Sequence, residues 1–530
     1  MILAASAVTI GANAQATLEN GIKMYNYGKY KSAQTALADL AATNPQANYY
    51  LGLSYLESGD IATASSTFMK YPEDPANISG TARVAFTNKD AAKGMQIAKD
   101  LAAKSKKKDW IQEKYAADAI AHTTGGDYHQ AITWYTDVNT KTDDADAHIG
   151  MGDAYRKIPG GGGDAMNNYE HVTDKDAKNS LGFTRIGDLW YEAHNYQSAL
   201  DNYAKAKEAD ATNPLPYKAL ANAFTRSGKY QPALENIKKY IDLSDKTLND
   251  RLDFLRALYR AQSSCDAARY AKDLLAHEQL GKENNIEVTG ILGYSQIDCG
   301  DSIEALKNLR AYFTIQDPKK IMSGDYIQLG KLYLKLGLLD SAGFYYTKGI
   351  SGDTAQNKTD IYREIAEAFK AKKDYCKSAD WYDNLIKSNP ETQPGDYAWR
   401  SIMYIYCPNL DKGLKASNEF ITKYPDQPTA SYWLARTEQL IDSNATTGLA
   451  APHFLKWLLM VGADYPNKNN IKGAYEYLLY YYYNTKDKDN VKMYIDKIKA
   501  IDPQDKAALE IEAAEKAPAP AKPSPAKGKK

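Results

Sequence analysis

The sequence predicts an all-α solenoid of antiparallel helix hairpins, and three observations carry that prediction. Positions recur at a fixed step: Phe183, Gly187 and Tyr203 are followed by Tyr217, Ala221 and Ile237, each 34 residues on. Within each unit the apolar residues stand three and four apart, as on one face of a helix, and a small residue sits where a neighbouring helix must come close. At 530 residues, 44% of them hydrophobic, the chain outgrows a single core but suits a stack of small units that complete one another's cores.

Taken in order, residues 1–14 (MILAASAVTIGANA) carry no charge and read as the end of an export signal, with Ala12-Asn13-Ala14 as a small-x-small cleavage site before Gln15. No cysteine stands at that junction, so no lipid anchor is expected there, and no later apolar run reaches transmembrane length. Residues 15–75 hold N-terminal repeats, with Gly21, Gly28, Ala33 and Pro45 in one unit and Leu51-Gly52, Tyr55, Gly59, Ala64 and Phe68 in the next. Residues 76–111 keep helical periodicity without the glycine and alanine landmarks and read as a degenerate repeat. Residues 112–395 form a central array that includes Leu329-Gly330, Tyr333, Gly337, Ala342 and Tyr346, and then Tyr362, Ile365-Ala366, Phe369 and Tyr382. Four glycines, 160–163, lengthen one of its turns. Residues 396–514 are divergent C-terminal repeats and a cap, in which Asp442 to Leu449 replaces a short turn. Residues 515–530 are a flexible tail rich in lysine, proline and alanine.

With these landmarks the chain resembles the tetratricopeptide repeat family over nearly its whole length. Cleavage before glutamine, and the stretch Trp433-Leu434-Ala435-Arg436 followed by Thr447-Gly448-Leu449-Ala450-Ala451-Pro452-His453-Phe454, are similar to exported repeat proteins of Bacteroidota. That resemblance implies a periplasmic protein that supports outer-envelope assemblies, and it carries no enzyme residues onto this chain. In a stacked array the start of one hairpin's second helix lies beside the end of the next hairpin's first helix. Cys265 and Cys299 stand in that relation, and Cys376 and Cys407 repeat it. Two disulfides, Cys265–Cys299 and Cys376–Cys407, are therefore expected in an oxidising compartment. The alternative is four separate small core residues; the spacings do not resemble a zinc ribbon or knuckle.

No catalytic, cofactor-binding or metal-binding residues are expected, and no cofactor. The seven histidines form no HExxH pattern, and His122 and His129 read as solvated or turn residues. Asp164-Ala165-Met166 follows the glycine run where a phosphate loop needs Gly-Lys-Ser/Thr, and no GxSxG elbow occurs. Acidic residues such as Asp143, Asp144 and Asp146 read as solvated helix faces. Lysine plus arginine equals aspartate plus glutamate at 66 each, so the whole-chain charge points to neither nucleic acid nor an anionic membrane.

What stands out is aromatic. Forty-two tyrosines against ten phenylalanines favour places where a ring packs while its hydroxyl stays polar. Tyr25, Tyr55, Tyr155, Tyr191, Tyr259 and Tyr333 recur on or beside the first-helix face, which in this architecture contributes to a concave groove. Tyr475, Tyr477, Tyr480, Tyr481, Tyr482 and Tyr483 crowd one helix near the end and form the candidate partner-binding cluster. The expected function is a non-enzymatic periplasmic scaffold or adaptor that binds a protein partner or extended peptide of an outer-membrane assembly, with no nucleic acid and no membrane insertion after signal removal. The alternative is a carbohydrate- or peptidoglycan-associated module with glycan contact.

Overall fold

The computed structural model describes residues 17–106, 108–351, 358–462 and 464–516. The expected export signal with its Ala14–Gln15 junction, and the 517–530 part of the tail, lie outside them. Among the described residues every regular element is an α-helix or a short 3-10 turn, and no strand occurs. The molecule is an all-α, tetratricopeptide-like solenoid of antiparallel hairpins. It divides into two compact units, Met1–Asp301 and Ser302–Lys530. No described helix is long and apolar enough to cross a membrane.

Each hairpin is written locally. In several of them the first helix ends at a residue in the left-handed region, and the next residue caps the second helix with its side chain. Gly59-Asp60 does this, with Asp60 accepting from the Thr63 N–H at 3.0 Å. Lys89-Asp90, His194-Asn195, Lys373-Asp374 and Lys486-Asp487 do the same without glycine. Residues 76–111, which lack the glycine landmark at the turn, thus form an ordinary hairpin, Pro75–Thr87 and Ala91–Ala102, with Lys89 at φ 64° in glycine's place.

Packing then joins the hairpins. In several hairpins a large ring on the second helix lies over a small residue on the first: a Cβ added at Gly187 would stand 2.5 Å from Tyr203 Cδ1, and Gly330 meets Tyr346 in the same way. Phe68, Tyr135, Tyr169, Tyr346 and Tyr382 are wholly buried, and burying one such side chain contributes about 1.5–3 kcal/mol. The glycine run shows a division of labour: Gly160, at φ 79°, makes the turn, while Gly162 already begins the Gly162–Lys175 helix.

Unit 1 also closes upon itself. Near its start, the Tyr27 hydroxyl donates to Asp210 at 2.7 Å and the Lys23 ammonium pairs with the same carboxylate at 2.8 Å. The Tyr30–Leu37 helix has no side-chain cap of its own. Asp245 supplies one from more than two hundred residues away, accepting from the Lys31 N–H at 2.7 Å and the Ser32 N–H at 3.3 Å.

Candidate functional site

Unit 1 holds an open cavity of about 580 Å³ walled largely by the first helices of successive hairpins. Its floor repeats. Asp118, Asp153 and Asp188 each follow a small residue directly (Ala117, Gly152, Gly187), 35 residues apart, and all three line the cavity. Behind each stands the tyrosine of its own second helix. The Tyr135 hydroxyl donates to Asp118 at 2.6 Å, Tyr169 to Asp153 at 2.7 Å and Tyr203 to Asp188 at 3.0 Å. The tyrosine excess has a physical reason here: the ring fills the hairpin core, and the hydroxyl passes through to orient an inward-facing carboxylate.

Cations face these acids, Arg185 and Arg156 from neighbouring repeats and Lys114 from the same helix as Asp118. Arg185 Nε lies 2.9 Å from Asp153, Lys114 Nζ lies 3.7 Å from Asp118, and Arg156 meets Asp188 and Glu192. Arg83 is only 3% exposed yet lines the cavity; one arm donates to Glu57 at 2.7 Å, while its Nε is buried without a hydrogen-bond partner. Lys157 has carbonyls rather than a carboxylate, donating to Ala121 and Thr123 at 2.6 and 2.9 Å, and its pKa is lowered, chiefly by burial. Tyr25, Tyr30, Tyr49, Tyr50 and Tyr115 form an aromatic wall; burial pushes the Tyr115 hydroxyl up to about 12.

Equivalent acids differ in electrostatic state. Burial raises the Asp153 carboxyl, but Arg185, His122 and the Tyr169 hydrogen bond outweigh it and hold the group below its usual value. At Asp188 burial prevails over Arg185 and Arg156, and the pKa is raised. His122 is pulled down to about 4 by burial first and by Arg83 second, against Asp153, whose Oδ2 lies 3.8 Å from its Nδ1. Asp153, tied to both a phenol and a guanidinium, is thereby held as a weak base, whereas Asp188 with the same kinds of partner is not.

The residues nominated from sequence fall in several places. Of the first-helix tyrosines, Tyr25 lines this cavity and Tyr191 a second one of about 520 Å³ that also includes Arg226, Arg256 and Arg260. Tyr55 and Tyr155 pack against core clusters, Tyr259 is exposed, and Tyr333 is buried and stacks on Tyr345 at 5.2 Å. His122, exposed in the turn that ends the Ile111–Ala121 helix, is on the cavity wall, and His129 is exposed at the start of the Tyr128–Lys141 helix. Cys265 and Cys299 are brought together as a disulfide with Cα atoms 5.0 Å apart, and Cys376 and Cys407 likewise at 4.9 Å.

The six late tyrosines, on the Lys468–Asn484 helix, do not share one surface. Tyr477 is 2% exposed and donates to Asp442 at 2.9 Å. Asp442 organises the loop after it, accepting from the Thr446 and Gly448 N–H groups and the Thr447 hydroxyl. Burial raises that carboxyl, but the Thr447, Tyr477 and Thr446 hydrogen bonds prevail and hold it well below the usual range. Tyr475 and Tyr482 pack on Tyr494, both at 5.6 Å, and Tyr481 lies against Gly448. Tyr480 and Tyr483 are the exposed pair.

No protein-family model matches the chain, and none of the curated proteins does. Solved structures do resemble it. The C-terminal part of a TPR repeat-containing protein from Cytophaga hutchinsonii is 22% identical, with a TM-score of 0.32 over 49% of this chain and 98% of that one. A tetratricopeptide repeat protein from Parabacteroides merdae is 15% identical, with a TM-score of 0.28 over 46% and 93%. Pseudomonas aeruginosa pilF is 17% identical, with a TM-score of 0.29 over 41% and 94%. These are likenesses of fold.

Proposed function

We propose that the chain is a non-enzymatic scaffold of the bacterial periplasm, acting within an outer-membrane-associated assembly, and that the interior of unit 1 receives an extended segment of a protein partner. One observation carries the reading: three carboxylates at repeat spacing, each oriented from behind by a tyrosine, on the floor of an aromatic-walled cavity. Neighbouring packed helices lie about 8–10 Å apart, which is roughly three residues of extended chain at about 3.3 Å each. A lining of interleaved acids and bases suits the alternating N–H and C=O groups of such a chain and disfavours a polyanion. The uncharged opening segment and the paired cysteines support the compartment, because disulfides persist in oxidising surroundings.

The test is a photoreactive amino acid placed in the native host at Tyr30, on the cavity wall, and separately at Tyr480, on the outer face of the late helix. The expected result is adduct formation at Tyr30 with peptides from one envelope protein, lost on Asp146→Lys, which inverts an exposed cavity charge. Adducts at Tyr480 alone would move the binding face to the late tyrosines, and glycan adducts at Tyr30 would favour the carbohydrate module.

A further inference from the structure

Away from the cavity, unit 1 brings together three groups from one hairpin. Asp143 stands in the turn before the Ala145–Tyr155 helix, His148 lies in that helix's first turns, and His171 is on the Gly162–Lys175 helix. Asp143 Oδ1 is 2.8 Å from His171 Nε2 and 3.2 Å from His148 Nε2, and the two rings are 4.1 Å apart between centroids. One donor atom from each residue lies within 4.8 Å of the others.

The neighbours of His148 fix where its proton sits. Asn168 donates through Nδ2 to the Asp164 carbonyl at 2.9 Å, which turns its Oδ1 toward His148 Nδ1 at 3.0 Å. An acceptor there requires Nδ1 to carry the hydrogen. Asn139 Nδ2 is a longer contact at 3.4 Å, and the Oδ1 of that same amide is buried without a partner, so the opposite amide setting would give Nδ1–H a second acceptor. The neutral ring then aims the Nε2 lone pair at a carboxylate oxygen. Two acceptors facing each other need either a proton or a metal ion between them. The Lys175 ammonium does not stand there, because it lies on the other oxygen, Oδ2.

We infer that Asp143, His148 and His171 form a binding site for a divalent transition-metal ion, with zinc the best fit. Two imidazole nitrogens and one carboxylate oxygen are its ligand types, at about 2.0–2.2 Å from the metal; a tetrahedral ion of that size holds its ligand atoms about 3.3 Å apart, close to the two separations from Asp143. Calcium and magnesium prefer oxygen alone. Asn168 is the orienting partner that a metal-bound imidazole requires on its far nitrogen. Asp143 and His171 are 48% and 40% exposed, which leaves the ion a route in and a solvent-facing fourth position. A bound ion would fasten the turn and both helices of the hairpin.

The experiment is calorimetric titration of the untagged full chain with Zn²⁺, paired with cobalt substitution read by visible absorption. One ion per chain with the absorption of a tetrahedral cobalt site is expected. His148→Gln and His171→Gln should each weaken zinc binding at least about tenfold, and Asn168→Leu about 10–100-fold, while Lys175→Met leaves it intact. His171 is exposed enough that its variant should keep the wild-type circular dichroism. Absence of Zn²⁺ uptake by the wild type, or a folded His171→Gln protein that binds as the wild type does, would overturn the assignment.

Discussion

Tyr169 in unit 1 and Tyr382 in unit 2 use the same device. Each ring is wholly buried on a second helix, and each hydroxyl reaches back to an acid on the first helix of its own hairpin, Asp153 at 2.7 Å and Glu367 at 2.5 Å. The acids meet different surroundings. Asp153 is 10% exposed, lines the cavity and is shared by Tyr169 and Arg185. Glu367 is 44% exposed and pairs with Lys370 on its own helix. The local hairpin chemistry is thus common to both units, and what turns it into a site is the closure of unit 1 through Asp210 and Asp245. Unit 2 presents apolar rings outward instead: Phe344 and Tyr406 are more than half exposed, and Lys370 lies 3.6 Å over the Trp399 ring.

The sharpest way to break this comparison is to remove the acids. Asp153→Ala leaves Arg185 and the Tyr169 hydroxyl without their shared partner, and breaking a buried pair on one side costs about 3–5 kcal/mol. Glu367→Ala removes a mostly solvated pair, where about 1 kcal/mol or less is expected. Urea melts of both variants against the wild type decide it, and equal small losses would mean that the cavity floor is solvated like an ordinary surface.

The sequence exposes the hairpins because their signals are local. The small residue at Gly187, the ring at Tyr203 and the capped turn at Gly59-Asp60 all lie within one repeat. The cysteine relation is legible for the same reason, since stacking fixes which helix ends are neighbours. The cavity is harder to read. Its acids do recur, directly after Ala117, Gly152 and Gly187, but apolar periodicity shows which face is buried in the stack and not which polar face a cavity will claim. The closing contacts span 183 to 214 residues and leave no local trace. Asp143 reads as a solvated acid in sequence because His171, 28 residues away, reaches it only across the hairpin. The late tyrosines show the converse: a dense run on one helix is divided by that helix's faces, with Tyr477 inward and Tyr480 outward.

A smaller effect separates the hydroxyls from the rings. Tyr169→Phe keeps the packing and deletes one hydrogen bond to a charged acceptor, worth about 1.5–3 kcal/mol where the acceptor is secluded. Tyr382→Phe should cost less, because water can replace the phenol on an exposed carboxylate. The same melts supply the measurement, and an equal cost at both positions would assign the tyrosine excess to hairpin stability alone.

The smallest expected effect is a pH dependence confined to unit 1. In the folded chain His122 protonates at about 4, against an ordinary value of 6.5 for the unfolded chain. Between those values the unfolded state binds more protons, so the contribution of neutral His122 is present above pH 6.5 and is lost as the pH falls toward 4. The ring is a third exposed, and solvent screening limits the effect to about 1 kcal/mol or less. His122→Gln should therefore flatten the decline in melting temperature between pH 6.5 and 4. Below that window its curve should run parallel to the wild type, because Asp153, whose pKa is depressed, loses its stabilising contribution only as the pH falls through the acid range. The imidazole carbon resonances of His122, followed by NMR, locate its midpoint directly. A midpoint near 6.5 would place bulk-like water around the ring and remove the electrostatic distinction between the interior of unit 1 and the outer faces of unit 2.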